Sequence, residues 1–538
     1  MKKFLSFLLI FILMFSIVAC SGNSADKNSK TSSNTDTAAN DTATNNTGTS
    51  NTKEEESKEE EDPFLTGEKP ELNVLTIYTT FNMEEQPAYK VAEELTGYKI
   101  NWFNLPQDNA NEKLLLEIAG GTSYDLVMRV GYGLANQLYV QNALLDLKPY
   151  LDKYGENIYA AVPEIALSAV TGKDGMLYAI PQVTFDDPSP GVDPYGALKA
   201  GNAFNSLYLE ELGMDTPTTL DEFYNVLKAY TDKTGKPALT QTATAWNVYL
   251  MTAFRMGPPS WYEVDGEYVH RIRHPGMVEY LAFMQKLYKE GLLDNDFPVN
   301  TAQTAMEKFT NGTTIAYPLY FSSIDNIYSA FKAAGIDAKV KMATYLAPDA
   351  NTTPILYVNQ GIVYTHFIPK TAKNPEHAII WLNKLSDPEV FETIYIGKEG
   401  VSYEIKDGNY YPIFPEFNNY TNADKFAGVF PLGKTFRLWQ ARARKTEAMA
   451  EIYDQMNARI GDYEVKFYYE SYAAGLEAVQ KNEMSLGTMI NDSLIQAIAS
   501  GEDPQTAINN IISKWEEMGG IEYEEAMKAW YKENKDKF

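Results

Sequence analysis

A single cysteine, Cys20, stands in a chain of 538 residues. That leaves no intrachain disulfide and no cysteine-based zinc or iron–sulfur site. Arginine is scarce, at eight residues, and acidic residues outnumber basic ones by 72 to 46, giving a formal net charge of −26. Phosphate binding needs basic surface, so nucleic acid is excluded as a partner. Neither G-x-S-x-G nor G-x-x-x-x-G-K-[ST] occurs, and no nucleophile elbow or phosphate loop is signalled. His270 and His274 have the i,i+4 spacing of helical metal ligands. However, "EYVHRIRHPG" alternates like a strand, lacks H-E-x-x-H and runs into Pro275, so no metal site is expected. Acidic pairs are too numerous to single out a glycosidase dyad. There is no heptad run, no repeat at a period of about 20–50 residues and no second spanning segment.

What is present begins at the amino terminus. Lys2 and Lys3 precede an almost wholly apolar run, Phe4 to Val18, and then the small Ala19. This is the layout of a secretory signal peptide over residues 1–19, too short to favour a spanning helix. Ile17-Val18-Ala19-Cys20 resembles the bacterial lipobox, which implies cleavage before Cys20, diacylation of its sulfur and a lipid-anchored protein on the outer face of the bacterial membrane. Two acyl chains are what stable anchoring takes. Loss of two lysines with the signal makes the mature charge −26 − 2 = −28. Residues 21–53 are rich in Ser, Asn, Thr, Asp and Ala, and 54–62 read EEESKEEED. Neither stretch buries enough apolar surface to offset the entropy of ordering, so 20–71 is expected to be a disordered tether with roughly 40 Å of r.m.s. reach. The folded part is expected from about Leu72.

From there strand and helix signals alternate. "ELNVLTIYTTFN" (71–82) has the period of a strand, and "EEQPAYKVAEELTG" (84–97) reads as a helix stopped by Gly97. "YKINWFNLP" (98–106) is a second strand. Asn109 with Glu112 reads as an N-cap pair opening a helix that Gly120-Gly121 ends, and "YDLVMRVGYG" (124–133) is a third strand. This β-α-β-α-β order points to a parallel, doubly wound sheet. Asp174-Gly175 marks a hairpin in 171–182. Thr219 and Glu222 form a capping box, and Asn374-Pro375 and Asp387-Pro388 open two helices. Strands are read at 311–323 and 361–369, and the chain is largely helical from about Arg437.

Six segments then carry a resemblance. "DGMLYAIPQ", "TTLDEFYNVLKAY", "LYKEGLLDNDF" with "EKFTNGTTIAY", "FIPKTAKNPEHAIIWLNKLSDPE", "GKEGVSYEIKDGNYYPI" and "INNIISKWEEMGGIEYEEAMKAWYKE" resemble, in order, the family 1 extracellular solute-binding proteins of bacterial ABC transporters. The likeness is strongest to the large Gram-positive lipoprotein branch that includes alginate-oligosaccharide-binding proteins, and it spans about 72–535. It implies an α/β, two-lobe periplasmic-binding-protein-like fold of type II, each lobe a mainly parallel sheet flanked by helices, with the ligand cleft at the hinge. The N-lobe would hold 72–188 with 358–400, and the C-lobe 189–357 with 401–538. It implies a monomeric binding protein and no enzyme, delivering an oligosaccharide or related polyhydroxylated solute to a membrane permease. The rival readings are a sugar-binding sensor or adhesin without transport, a secreted glycoside hydrolase, and a peptide ligand. The alginate-binding members carry a calcium loop where this chain reads "TDKTGKPALTQT" (231–242). Only Asp232 is a carboxylate there, against the six to eight oxygens calcium takes, so neither metal nor cofactor is expected.

Ligands of open α/β sheets bind beyond the carboxyl ends of strands. Those ends nominate Thr79, Thr80, Phe81 and Asn82 after the first strand, and Arg129, Gly131 and Tyr132 after the third. Their other reading is as caps of the sheet. Phe185, Asp186 and Asp187 sit at the expected first crossing, where ionised carboxylates accept from sugar hydroxyls. Gln360 and Gly361 sit at the second. Trp246, Trp261, Tyr317, Tyr320 and Trp439 are candidate stacking faces, with the core as the competing place for each. The resemblance favours Trp246, Trp261 and Tyr317. Arg437 joins them, and Arg129, Arg255 and Arg437 together would invert the acidic field inside a cleft.

Overall fold

The computed structural model describes residues 62–538 apart from 77, 79–81, 107, 185–197 and 422–435, and without the side chains of 184, 421, 436 and 437. The expectations for Cys20, the signal, most of the tether, Thr79, Thr80, Phe81, Phe185, Asp186, Asp187 and the Arg437 side chain therefore lie outside the described residues. Order begins ahead of Leu72. Asp62 caps a short helix, Pro63–Thr66, pairs with Lys153 at 2.7 Å and accepts the Tyr154 hydroxyl at 3.0 Å, while Phe64 packs edge-on to Tyr154 and His377.

Fourteen short strands follow. They are β1 (Leu72–Thr76), β2 (Ile100–Asn104), β3 (Leu126–Val130), β4 (Ile180–Thr184), β5 (Ala200–Asn205), β6 (Trp261–Val264), β7 (Glu267–His270), β8 (Ala316–Tyr320), β9 (Val340–Ala343), β10 (Ile355–Asn359), β11 (Gly361–Phe367), β12 (Tyr403–Lys406), β13 (Asn409–Pro412) and β14 (Glu464–Tyr468). The first sheet runs β2-β1-β3-β11-β4, with β1, β2 and β3 parallel and β11 antiparallel to both its neighbours. β1 and β3 are buried along almost their whole length, as strands covered on both faces must be, and that explains their near-continuous apolar sequences. The crossover helix Pro87–Thr96 stops where Gly97 turns left-handed, at φ 72°. Asn109 does precede the next helix, Ala110–Ala119, but at φ 56° and with no side-chain capping bond, so the expected cap pair is absent. The 171–182 hairpin contracts to one bridge, Thr171 to Leu177, around Gly175.

The second sheet runs β8-β5-β9, and both pairings are antiparallel. Among the described residues the mainly parallel arrangement expected for each lobe is seen in β1–β3 and in the β10–β14 pair, not in the second sheet. The reason is geometric: β5 carries the chain away from the first sheet and lies between β8 and β9, which both run back. Helix Leu220–Thr234 covers this sheet. Its capping box is complete, Thr219 accepting from Glu222 and Glu222 from the Thr219 amide, and Phe223, Leu227 and Tyr230 are buried.

Buried side chains fall into separate cores. The first surrounds Trp381 and the five-stranded sheet. The second surrounds Trp515, Phe223 and the helices Glu477–Ser500, Pro504–Trp515 and Ile521–Asn534, and a third lies between β5, β10 and the helix Glu447–Asn457. Tyr403, Phe417, Leu438 and Ala441 belong to the first core, and Arg442 Nη1 donates to the Tyr395 carbonyl at 2.7 Å. These four side chains pack in the core of the first sheet, and the helices Glu416–Thr421 and Phe436–Ala443 meet helix Pro388–Ile396.

Candidate functional site

The two sheets share chain crossings. Gln360 alone separates β10, which pairs with β14 in a two-stranded ribbon, from β11 of the first sheet. The carboxyl ends of β1 and β3 and the amino end of β11 lie along this edge. Arg129 forms a bulge in β3, since Thr365 pairs with Val130 but Phe367 with Val127. At φ 60° its amide donates to His366 Nδ1 at 3.4 Å and its guanidinium lies 4.6 Å over the Tyr364 ring. Burial and the Arg129 charge hold the His366 imidazole down to about 3, so it is neutral. Tyr132 is 8% exposed, and its hydroxyl donates to the Ala169 carbonyl. Asn82 is exposed and caps the short helix Met83–Glu85.

The second sheet presents a different surface. Strand β8, reading AYPLY, ends with Tyr320 opposite Ala200, beside the first crossing. Tyr320 is 46% exposed, and burial of its hydroxyl end pushes the phenol up to about 12. Tyr317 on the same strand stacks on Phe309 at 5.9 Å. Tyr249, in helix Val248–Met251, lies 5.8 Å from Tyr345, and burial with the phenols of Tyr320 and Tyr317 raises it to about 12. Tyr345 is raised well above the usual phenol by burial and by Tyr249, Tyr468, Tyr463 and Tyr320. Tyr468 ends β14 and is raised by burial and the neighbouring Glu470.

Glu470 continues this band into charge. Its carboxylate accepts from the Ser260 amide at 2.9 and 3.0 Å and the Trp261 amide at 3.0 Å. Burial nevertheless raises it to about 7, against the lowering effect of those amides and of Arg271, with Glu483 adding to the rise. Glu483, on helix Glu477–Ser500, is also raised by burial and lowered by Arg271. The Arg271 guanidinium lies 4.2 Å over the Trp246 ring. Electrostatic influence links Tyr317, Tyr320, Tyr249, Tyr345, Tyr468, Glu470, Glu483 and Arg271 in one band, which the Arg271 stacking contact extends to Trp246. A cavity of about 240 Å³ at its Glu470 end is lined by Asn359, Tyr468, Ser471, Glu483 and Trp261 among others.

Of the residues nominated from sequence, Trp246, Tyr317 and Tyr320 lie in this band. Trp261 touches the 240 Å³ cavity but leaves little of its ring open. It is 3% exposed, packed among Tyr268, His270 and Tyr523, with Nε1 donating to the Tyr523 hydroxyl at 3.3 Å. Trp439 is half-buried edge-on to Phe321 and Tyr453, with Lys199 Nζ 4.7 Å over its ring. Gln360 is 2% exposed, and its amide donates to the Tyr468 carbonyl at 2.9 Å. Arg255 is engaged elsewhere, with the Thr353 carbonyl at 3.2 Å and Glu464 at 3.6 Å, so it does not supply the basic cluster expected with Arg129. His270 and His274 each use Nδ1 to accept a backbone amide, of Ile272 and Gly276. Asp232 pairs with Lys228. Sequence reasoning missed Tyr249, Tyr345, Tyr468, Glu470, Glu483 and Arg271. The one usable signal was the spacing of Trp246 and Tyr249 in a single loop-to-helix segment.

Two sheet-and-helix bodies joined by crossings, with an open aromatic wall beside them, define a protein built to hold a solute. The model of the bacterial extracellular solute-binding proteins matches residues 88–402, and the chain belongs to that family. Lipoprotein LipO of Bacillus subtilis (strain 168) is 22% identical over 474 residues, 84% of this chain and 90% of its own length. The polygalacturonan/rhamnogalacturonan-binding protein YtcQ of the same organism is 23% identical over 341 residues, 60% of this chain and 66% of its own. Among solved structures, the S. pneumoniae ABC-transporter substrate binding protein FusA in complex with kestose superposes with a TM-score of 0.62 at 16% identity, covering 87% of this chain and 100% of that one. The fold is therefore the two-lobe, periplasmic-binding-protein-like α/β fold expected from the motifs. Among the described residues no helix is long and apolar enough to cross a membrane.

Proposed function

We propose that this chain is the substrate-binding component of an ABC importer, lipid-anchored through Cys20, which captures an oligosaccharide between its lobes and hands it to a membrane permease without covalent chemistry. The band of half-exposed tyrosines with Trp246 carries the reading. A pyranose has apolar C–H faces and a rim of hydroxyls, and phenol rings beside carboxylates and amides meet both. The binding of kestose by FusA and the polysaccharides in YtcQ's name support the same class of solute. We assign one lobe to the first core, with Tyr403, Phe417, Leu438 and Ala441, and the other to the second and third cores. Closure about Gln360 and the other crossings is hinge motion of a familiar kind. The test is calorimetry of the mature chain against neutral and acidic oligosaccharides: saturable heat with at least one is expected, and silence across both panels overturns the reading. Cys20→Ser should release the protein from membranes, and continued retention overturns the anchor.

A further inference from the structure

The crossing end of the aromatic band is rich in hydrogen-bond acceptors. Glu470 and Glu483 bring carboxylates to the 240 Å³ cavity. Asn359 Oδ1 and Ser471 Oγ, on its wall, are buried with no hydrogen-bond partner among the described residues. Buried polar atoms are nearly always paired, so such orphans mark where a bound group belongs. Gly361 is what allows the two to approach. A Cβ on it would stand 1.6 Å from Ser471 Oγ and 3.1 Å from Asn359 Oδ1, so only glycine fits that close contact. The Arg271 guanidinium, which lies over the Trp246 ring, lowers both carboxyls through its charge.

A ligand group that fits this cavity must donate. Sugar hydroxyls donate. A carboxylate only accepts, would leave Asn359 Oδ1 unpaired, and would bring a negative charge beside two carboxyls whose ionisation burial already opposes. We propose that the cavity is a subsite for one uncharged sugar unit, held by its hydroxyls on Asn359, Glu470, Ser471 and Glu483, and that it rejects uronic-acid units. Rejection comes from unpaired acceptors and like charge, which discriminate more sharply than added contacts do. The subsite rests on the oligosaccharide reading above. It sets this chain apart from the relative named for polygalacturonan, an acidic polymer.

The experiment is calorimetry of the full mature chain with tetrasaccharide pairs of matched linkage: galactose against galacturonate, glucose against glucuronate, and mannose against mannuronate. In the pair that binds, the neutral member should be tighter by about tenfold or more, the size of one well-placed hydrogen bond to a charged group. Glu483→Gln should narrow that ratio by tightening the uronate, and Asn359→Ala should weaken the neutral sugar by a similar factor. A uronate that binds as tightly as its neutral partner, or a ratio untouched by both variants, overturns the subsite and leaves the oligosaccharide reading standing. Absence of binding in all three pairs overturns both. Both substitutions lie on a cavity wall, and a thermal melt matching the parent confirms that each variant is folded.

Discussion

The two sheets meet their shared edge in opposite ways. On the first, Tyr132 is tied to the Ala169 carbonyl, His366 is fully buried and neutral, and Arg129 folds back over Tyr364, while Tyr78 and Asn82 past the end of β1 stay exposed. On the second, Tyr320, Tyr317, Tyr249 and Trp246 keep part of each ring open. One edge acts as a frame and the other as a face. The difference shows why an aromatic residue's type says little until its surroundings are known. Trp261 and Trp246 lie fifteen positions apart, the first locked among three rings and the second capped only by Arg271.

That contrast can be broken most forcefully at Trp261. Truncating a large buried ring costs about 3–5 kcal/mol through lost burial and the cavity left behind. Trp261→Ala should therefore lower the melting temperature by many degrees, and a melt within a degree of the parent would place Trp261 on the face instead of in the core. Tyr320→Ala should do the reverse. Exposed positions change stability by only about 0.5 kcal/mol, whereas a stacked ring contributes about 0.5–1.5 kcal/mol beyond its area. Weaker oligosaccharide binding by about three- to tenfold with an unchanged melt is the expected result, and unchanged affinity would remove Tyr320 from the binding wall.

Much of this was legible in the chain itself, where the cause is local. Gly97 ends a helix because glycine tolerates the left-handed turn, Thr219 with Glu222 closes a capping box, and Asp387 before Pro388 accepts the amides of Glu389 and Val390. Period-two and continuous apolar runs placed β1, β2 and β3. What escaped depends on distant pairing. Tyr468 and Asn359 come together because β10 and β14, more than a hundred positions apart, form one ribbon, and no spacing in the sequence states that. Asn109 has the right neighbours for a cap and the wrong backbone, since at φ 56° its side chain makes no capping bond. The antiparallel second sheet followed from the direction in which β5 leaves the crossing, a property of topology and not of composition.

The last expected effect is one of pH dependence and concerns Glu470, beside the crossing. Its carboxyl is raised to about 7 from an ordinary value of 4.5. The folded protein therefore holds this proton more tightly than the unfolded chain. Below about pH 4.5 both states are protonated and the group contributes no difference. Between pH 4.5 and 7 the unfolded chain ionises first, so stability falls as pH rises, by at most about 1.4 kcal/mol per unit. Above pH 7 the penalty is complete and constant. Glu470→Gln cannot ionise and removes this slope, while losing part of the acceptor strength that the Ser260 and Trp261 amides use, a loss that does not vary with pH. The difference in unfolding free energy between variant and parent, measured by denaturant melts from pH 4.5 to 8.5, should move in the variant's favour up to about pH 7 and then level. A difference that stays flat across that range would mean that Glu470 is solvated like an ordinary surface carboxylate, and that the cavity beside it is open to water rather than shaped for a sugar.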